Sequence, residues 1–225
     1  MKALILCGGQ GLRIRGNFGG TPKPLVSIHG RPLVAHIIDH YRSFGVTEFI
    51  LLVGDNESEF HKFSNSYDDS SCDIQVLQTG SITPTGGRLF QSLARIGSDD
   101  SVFATYGDGI SDVNIASLLD RHRASGKEVT LTAVCPMLPF GLLSINDNDD
   151  VCSFYEKPVM DKWANGGFFV ISRSVLESMS KDSDFESQVL PRLASEGQLG
   201  AYCHRGFWKS MDTYKDYLEL NSENS

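Results

Sequence analysis

Short apolar runs alternate along the chain with stretches in which apolar residues recur every three or four positions. Residues 3–7, 48–53, 74–78, 102–106 and 129–134 are apolar or β-branched over most of their length and read as buried strands. Between them, Leu33, Val34, Ile37, Ile38, Tyr41 and Phe44 fall on one arc of a helix, and Gly45 is placed to stop it. The same spacing recurs at Leu89, Phe90, Leu93, Ala94 and Ile96, and again at Ile115, Leu118 and Leu119 ahead of Gly126. Alternation of this kind predicts an α/β fold, with a mostly parallel sheet covered by helices on both faces. After about residue 135 the strands shorten, at 142–145, 151–156 and 167–172, and are expected to join the same sheet in mixed or antiparallel sense. No proline- or serine-rich linker and no internal repeat divides the chain, so residues 1–225 are read as a single domain whose last residues, 221–225, fray.

With 225 residues and 40% hydrophobic content the chain can bury a full core. Its net charge of -8 repels polyanions, so a phosphate-bearing ligand must be drawn in by local cations. No basic stripe with interleaved aromatics appears, which argues against nucleic acid as a partner. No apolar stretch is long enough to span a membrane, and only a short apolar run follows Lys2, so the chain is expected to be soluble and cytoplasmic. Five scattered cysteines with no Cys-x-x-Cys pair fit reduced thiols in that compartment. Cys7, closing the first strand, reads as a small buried filler rather than a reactive thiol.

Ligands of open parallel sheets bind beyond the carboxyl ends of the strands, and the chemistry-bearing motifs of this chain lie there. The first strand runs into Gly8-Gly9-Gln10-Gly11-Leu12-Arg13, where glycines can turn with positive φ and bring backbone N–H groups close to phosphate oxygens. Arg13 can grip a phosphate bidentately, and Lys23, between Pro22 and Pro24, offers a point charge on a stiff backbone. The loop fails the dinucleotide pattern and lacks the Gly-Lys-Ser/Thr of a P-loop. Thr85-Gly86-Gly87-Arg88 lies beyond the third strand, its backbone expected to be free to read a base edge. Asp108, in Tyr106-Gly107-Asp108-Gly109, and Asp212, ahead of a helical stretch, form a candidate Mg2+ pair, because that ion takes one or two carboxylates and completes its shell with water and phosphate. Each aspartate could equally cap a turn or a helix.

Glu156-Lys157-Pro158 and Asn165-Gly166-Gly167 bracket a short connection and offer groups for a sugar and its phosphate, although a Glu-Lys pair is commonly a solvated surface pair. His36 and His40 lie four apart at the polar flank of a helix; without a His-Glu-x-x-His context they are structural rather than metal ligands. No Gly-x-Ser-x-Gly elbow supports a serine nucleophile.

Taken together in this order, Gly8-Gly9-x-Gly11-x-Arg13, Pro22-Lys23-Pro24, Thr85-Gly86-Gly87-Arg88-Leu89, Thr105-Tyr106-Gly107-Asp108-Gly109, Glu156-Lys157-Pro158, Asn165-Gly166-Gly167 and Met211-Asp212-Thr213 resemble the sugar-phosphate nucleotidyltransferases over nearly the whole chain. Thr85-Gly86-Gly87-Arg88-Leu89 and Thr105-Tyr106-Gly107-Asp108-Gly109 resemble the glucose-1-phosphate cytidylyltransferases within that family. The resemblance implies a Rossmann-like three-layer fold of the GT-A-like type and transfer of a cytidylyl group from CTP to a sugar 1-phosphate. By it, Gly8, Gly9, Gly11, Thr85, Gly86, Gly87 and Arg88 surround the nucleotide and Arg13 and Lys23 hold its phosphates. Asp108 and Asp212 bind Mg2+, and Glu156, Lys157, Asn165 and Gly166 take the sugar phosphate. Lys23, Arg13 and Asp108 are the expected catalytic groups, and a homo-oligomer is compatible with the family. Two features depart from the pattern: Leu12 replaces the family threonine, and the segment from Asp73 reaches Thr85 without the long arm expected there. Transfer to another phosphate or a phosphonate, or a non-catalytic nucleotide-sensing module, are the alternative readings.

Overall fold

A computed structural model describes residues 1–9 and 15–222. Gly11, Leu12 and Arg13, and residues 223–225 of the expected frayed end, lie outside the described residues. The chain opens with β1 (Ala3–Leu6), makes a 3-10 turn at Lys23–Leu25 and the short β2 (Ser27–Ile28) and β3 (Arg31–Pro32), then enters α1 (Leu33–Arg42). The alternation continues through β4 (Glu48–Val53), α2 (Glu57–Ser66), β5 (Asp73–Gln78), α3 (Thr85–Gln91) and β6 (Ser101–Tyr106). Next come β7 (Gly109–Ser111), α4 (Ile115–Ser125), β8 (Val129–Val134), β9 (Leu142–Ile145), β10 (Val151–Tyr155) and the long β11 (Ala164–Ser172). The remainder is α5 (Arg173–Ser178), a π-helical turn at Phe185–Val189, α6 (Leu190–Ser195), β12 (Leu199–Cys203), β13 (Trp208–Ser210) and α7 (Tyr214–Leu220).

A seven-stranded sheet in the order β12-β8-β11-β6-β1-β4-β5 forms the middle layer. Every neighbouring pair is parallel except those made by β11, which runs against both β6 and β8. Strand residues point alternately to the two faces, and here both faces are apolar, which is why the strands read as unbroken runs. Ile5, Phe49, Leu51 and Phe103 join the core beneath α1, whose Ile38 and Tyr41 pack there. Leu4, Leu6, Ile50, Leu52 and Ala104 face the other way, onto Leu89 of α3, Leu176 of α5 and Leu193 of α6. Burying these strand and helix side chains contributes roughly 1.5–3 kcal/mol apiece, the main force holding the three layers together.

The sheet confirms the α/β reading but corrects one expectation. Only β11 of the three late strands joins it; β9 and β10 pair solely with each other in a separate antiparallel ribbon. Their side chains are mostly exposed on both faces, so the ribbon has no helix to pack against and no core to enter. Gly45, with φ of 82°, lies three residues beyond the end of α1, while Gly126, with φ of 62°, caps α4 in the left-handed conformation that glycine adopts at least cost.

Candidate functional site

The strand order continues from β1 to β4 in one direction along the sheet and from β6 to β11 in the other, so the carboxyl ends of β1 and β6 stand side by side at a switch point, where such sheets bind ligands, while α1 and α4 pack on the same face. Gly8 and Gly9 follow β1, and Gly107 and Asp108 follow β6. Gly107 packs so closely that a Cβ there would stand 3.0 Å from the Leu6 carbonyl oxygen, and its N–H donates to that oxygen at 3.0 Å. The two strand ends are thereby locked side by side.

A second pairing brings the carboxylates together. β7 and β13 run antiparallel with Gly109 opposite Ser210, and the Met211 N–H donates to the Asp108 carbonyl at 2.8 Å. Asp108, just before one strand, therefore lies across from Asp212, just after the other. Thr213 caps α7 with its own hydroxyl and forms a capping box with Asp216, which releases Asp212 from the helix-cap role. The ammonium of Lys23 sits between the pair, 2.9 Å from Asp108 Oδ2 and 2.8 Å from Asp212 Oδ1. Burial of Lys23 would lower its pKa, but attraction and hydrogen bonds from the two carboxylates outweigh this and raise it, so the side chain stays charged. The Ser210 hydroxyl donates to the remaining Asp212 oxygen at 2.7 Å.

Two concave lobes meet at this cluster. The larger, about 530 Å3, is bounded by Gly8 and Gly9, the segment Ser81 to Thr85, Arg88 and Asp184. The smaller, about 370 Å3, is bounded by Gly166, Gly167, Glu186, Trp208, Ser210 and Asp212. Tyr106 and Asp108 line both lobes, so the two spaces share a wall at the end of β6. Both volumes fall in the range of small-molecule sites.

Several sequence expectations change in detail. Gly8 and Gly9 do not adopt positive φ. Gly8 is glycine because the Arg88 guanidinium lies against it: a Cβ would come within 1.9 Å of Nη1. Arg88, read as a nucleotide contact, is only 5% exposed and spends its donors on the Gly8 carbonyl at 2.9 Å, the Thr79 hydroxyl at 2.5 Å and, more weakly, the Val53 carbonyl at 3.3 Å. It braces the wall of the larger lobe. Nor is the backbone of Gly86 and Gly87 left free for a base. The Gly87 N–H donates to the Ser183 carbonyl at 2.9 Å, and Cβ atoms would come within 2.6 Å of that carbonyl at Gly86 and 2.1 Å of the Lys181 carbonyl at Gly87. These glycines let α3 press against the loop after α5. The Thr85 hydroxyl is also engaged, donating to Glu186 and accepting from the Phe185 N–H at 3.2 Å.

On the smaller lobe, Gly166 lies on the wall and its carbonyl accepts the Trp208 indole N–H at 2.7 Å. Asn165 donates to the Tyr106 hydroxyl at 3.2 Å, and that hydroxyl donates to Glu186 at 2.5 Å. Burial, reinforced by the Glu186 charge, pushes the Tyr106 phenol well above its ordinary pKa and keeps it a donor. Glu156 and Lys157 line neither lobe; exposed at the end of β10, they pair with each other at 3.6 Å. Glu186 was missed by sequence reasoning because it sits within an irregular π-helical turn, with no motif around it. The histidines are structural: His36 and His40 each bond a backbone carbonyl at 2.8 Å. Cys7 is buried and its thiol pKa driven upward, first by desolvation and then by Asp108, which leaves it a poor nucleophile. No helix among the described residues is long and apolar enough to cross a membrane.

An α/β sheet whose switch point carries a glycine-lined lobe, a lysine and two convergent carboxylates defines a phosphate-handling enzyme fold. Sequence comparison makes this specific: the nucleotidyl transferase family matches over residues 2–225, and the chain belongs to it. It is 37% identical over 98% of its length to a probable glucose-1-phosphate cytidylyltransferase of Bacillus subtilis, covering 95% of that protein. It is 36% identical to a glucose-1-phosphate cytidylyltransferase of Salmonella typhimurium, with 97% of this chain and 95% of that one aligned. A probable mannose-1-phosphate guanylyltransferase of Oryza sativa is 32% identical over 97% of the chain and 63% of its own length. Among solved structures, HddC from Yersinia pseudotuberculosis shares the fold with a TM-score of 0.81 at 19% identity, covering 100% of this chain and 99% of its own. The chain is thus an enzyme of the nucleotidyltransferase type, akin to relatives that act on sugar 1-phosphates.

Proposed function

We propose that this enzyme transfers a cytidylyl group from CTP to a sugar 1-phosphate, glucose 1-phosphate in first place, releasing pyrophosphate and a CDP-sugar. The observation that carries this reading is the junction of two lobes at one carboxylate pair held by Lys23. The larger lobe, along Gly8, Gly9 and Thr85, is assigned to the nucleotide, and the smaller, along Asn165, Gly166 and Glu186, to the sugar phosphate. The choice of cytidine and of glucose is supported by the names of the relatives at 37% and 36% identity.

A phosphate oxygen of the acceptor attacks the α-phosphorus of the triphosphate, and the bond to the bridging oxygen breaks to release pyrophosphate. No general base is required, because the second pKa of a phosphate monoester is about 6 and the nucleophile is already ionised. The obstacle is repulsion between two polyanions, so the protein's work is alignment and charge neutralisation. Lys23 is placed to supply a cation at the junction, and Arg13, from the loop after β1, is the second candidate. Asp108 and Asp212 fit a divalent cation: both already turn toward a single point, where they share one positive charge, and a pair of carboxylates suits Mg2+. Bound there, Mg2+ would offset phosphate charge and leave Lys23 to the phosphates. Glu156 and Lys157 belong to the acceptor side by the family pattern alone.

Pyrophosphate release measured with CTP, UTP and GTP against glucose 1-phosphate and mannose 1-phosphate tests the reading. Preference for CTP with glucose 1-phosphate is the expected result. Equal or better kcat/KM with UTP or GTP would remove the cytidylyl assignment, and preference for mannose 1-phosphate would remove the acceptor assignment.

A further inference from the structure

The smaller lobe is lined by four side chains able to donate a hydrogen bond, and each spends its donor on the protein itself. The Tyr106 hydroxyl donates to Glu186 at 2.5 Å, the Trp208 indole to the Gly166 carbonyl at 2.7 Å and the Ser210 hydroxyl to Asp212 at 2.7 Å, while buried Thr105 turns to the Tyr106 carbonyl at 3.3 Å. What these side chains leave to a ligand is acceptors. Of the carboxylates on the wall, Asp108 and Asp212 share the Lys23 ammonium. Glu186 is half-buried and, among the described residues, has no lysine, arginine or histidine as a partner. Two neutral hydroxyls hold it instead, Tyr106 on one oxygen and Thr85 on the other. Both hydroxyls accept from behind, Tyr106 from the Asn165 amide at 3.2 Å and Thr85 from the Phe185 N–H at 3.2 Å, so their hydrogens stay on Glu186 and do not turn outward. A carboxylate has about four lone-pair sites, which leaves about two on Glu186 for a ligand.

From this arrangement we infer that Glu186 is a specificity residue, which takes hydroxyl donors from the uncharged ring of the acceptor and turns away an acceptor that carries a second anion there. The inference rests on the assignment of the smaller lobe to the sugar phosphate. A wall whose side-chain donors are all spent rewards a ligand that brings its own, and the hydroxyls of a hexose do so. The phosphate cannot lie against Glu186, because two anions repel with no cation between them. It takes the Lys23 side, where positive charge is available, and the ring is left toward Glu186. One lobe with a cation on one wall and an uncompensated carboxylate on another thus sets the direction in which a sugar 1-phosphate enters. A carboxylate on the ring, as in a uronic acid 1-phosphate, would bring a second charge against Glu186 and would have fewer hydroxyls to give it.

Pyrophosphate release with Mg2+ and the nucleoside triphosphate that the enzyme turns over fastest tests the proposal, with glucose 1-phosphate and glucuronic acid 1-phosphate as competing acceptors for the parent, Glu186→Gln and Glu186→Asp. The parent is expected to favour glucose 1-phosphate by about 100-fold in kcat/KM, since the wrong acceptor leaves a buried polar group badly paired. Glu186→Gln keeps the shape but removes the charge and adds a donor; it is expected to shrink that preference about tenfold, raising KM for glucose 1-phosphate and leaving KM for the nucleotide nearly unchanged. Glu186→Asp keeps the charge and is expected to keep most of the preference. The ratio of two kcat/KM values from one preparation does not depend on the fraction folded, so a merely structural role would lower both and leave the ratio alone. A parent that uses both acceptors equally, or a Gln variant with the parental ratio, overturns the proposal while the sugar-phosphate reading stands. An Asp variant that loses the preference as fully as Gln shows that shape rather than charge sets it, and overturns the proposal too. A parent with no turnover on any sugar 1-phosphate overturns the sugar-phosphate reading itself, and this inference with it.

Discussion

Arg88 separates two accounts of the larger lobe. If it is a brace, Arg88→Met should damage the fold first and nucleotide binding second. The guanidinium makes two short hydrogen bonds, to Thr79 at 2.5 Å and Gly8 at 2.9 Å, and two longer ones at 3.3 and 3.4 Å to Val53 and Ser81. A hydrogen bond from a charged donor contributes about 1.5–3 kcal/mol, so the short pair is worth about 3–6 kcal/mol before offsets. Burying the charge costs part of that, as the downward pKa shift caused by desolvation indicates. Methionine keeps much of the packing. The net loss should be about 2–4 kcal/mol, which for a chain of this size is about 5–12 °C in Tm. Denaturant unfolding of the variant should give a lower Cm, and CTP binding measured by calorimetry should weaken in proportion to the loosened wall. Unchanged stability with CTP binding lost more than tenfold would refute this reasoning and return Arg88 to direct contact with the nucleotide.

Lys23→Ala should lower kcat about 100-fold with a smaller change in nucleotide affinity, the usual consequence of losing one oriented charge; a pure KM effect in steady-state kinetics would show that Lys23 only binds. Asp108→Asn and Asp212→Asn should each abolish Mg2+-dependent turnover while leaving the melting profile cooperative, and near-parental kcat at saturating Mg2+ would remove that carboxylate from the site. Half-buried His40 has its pKa lowered from 6.5, chiefly by desolvation. The unfolded chain therefore takes up its proton first, and stability should fall as pH drops from about 7 through 6.5 toward the lower folded value. His40→Gln should flatten that limb in urea unfolding measured across pH.

The parallel sheet and the first helix were legible because their signal is periodic and local: Ile5, Phe49 and Leu51 sort to one face simply by alternation. Asp108 was legible from its glycine neighbours at a strand end. Its partnership with Asp212 depends on the β7–β13 pairing, between strands too short to leave a pattern. Gly86 and Gly87 were visible as glycines, but the reason for them lies in a loop near residue 182 that no spacing announces. Glu186 is a solitary acid in an irregular turn, and only its approach to Tyr106 and Thr85 marks it. The ribbon was predicted as two strands and mistaken for sheet, because exposed and buried short apolar runs look alike in sequence.

The bond from Lys23 to Asp212 spans 189 positions of the chain. A ribosome delivers the N-terminal part first, so the glycine loop, the lysine and the first carboxylate exist for many seconds as a half-built constellation. The second carboxylate arrives only when β13 comes down beside β7, among the last long-range closures the fold has to make and one of the slowest kind. Competence thus waits on β13, and a chain cut short before Trp208 would retain the strands of the central sheet while lacking the partner that completes the junction.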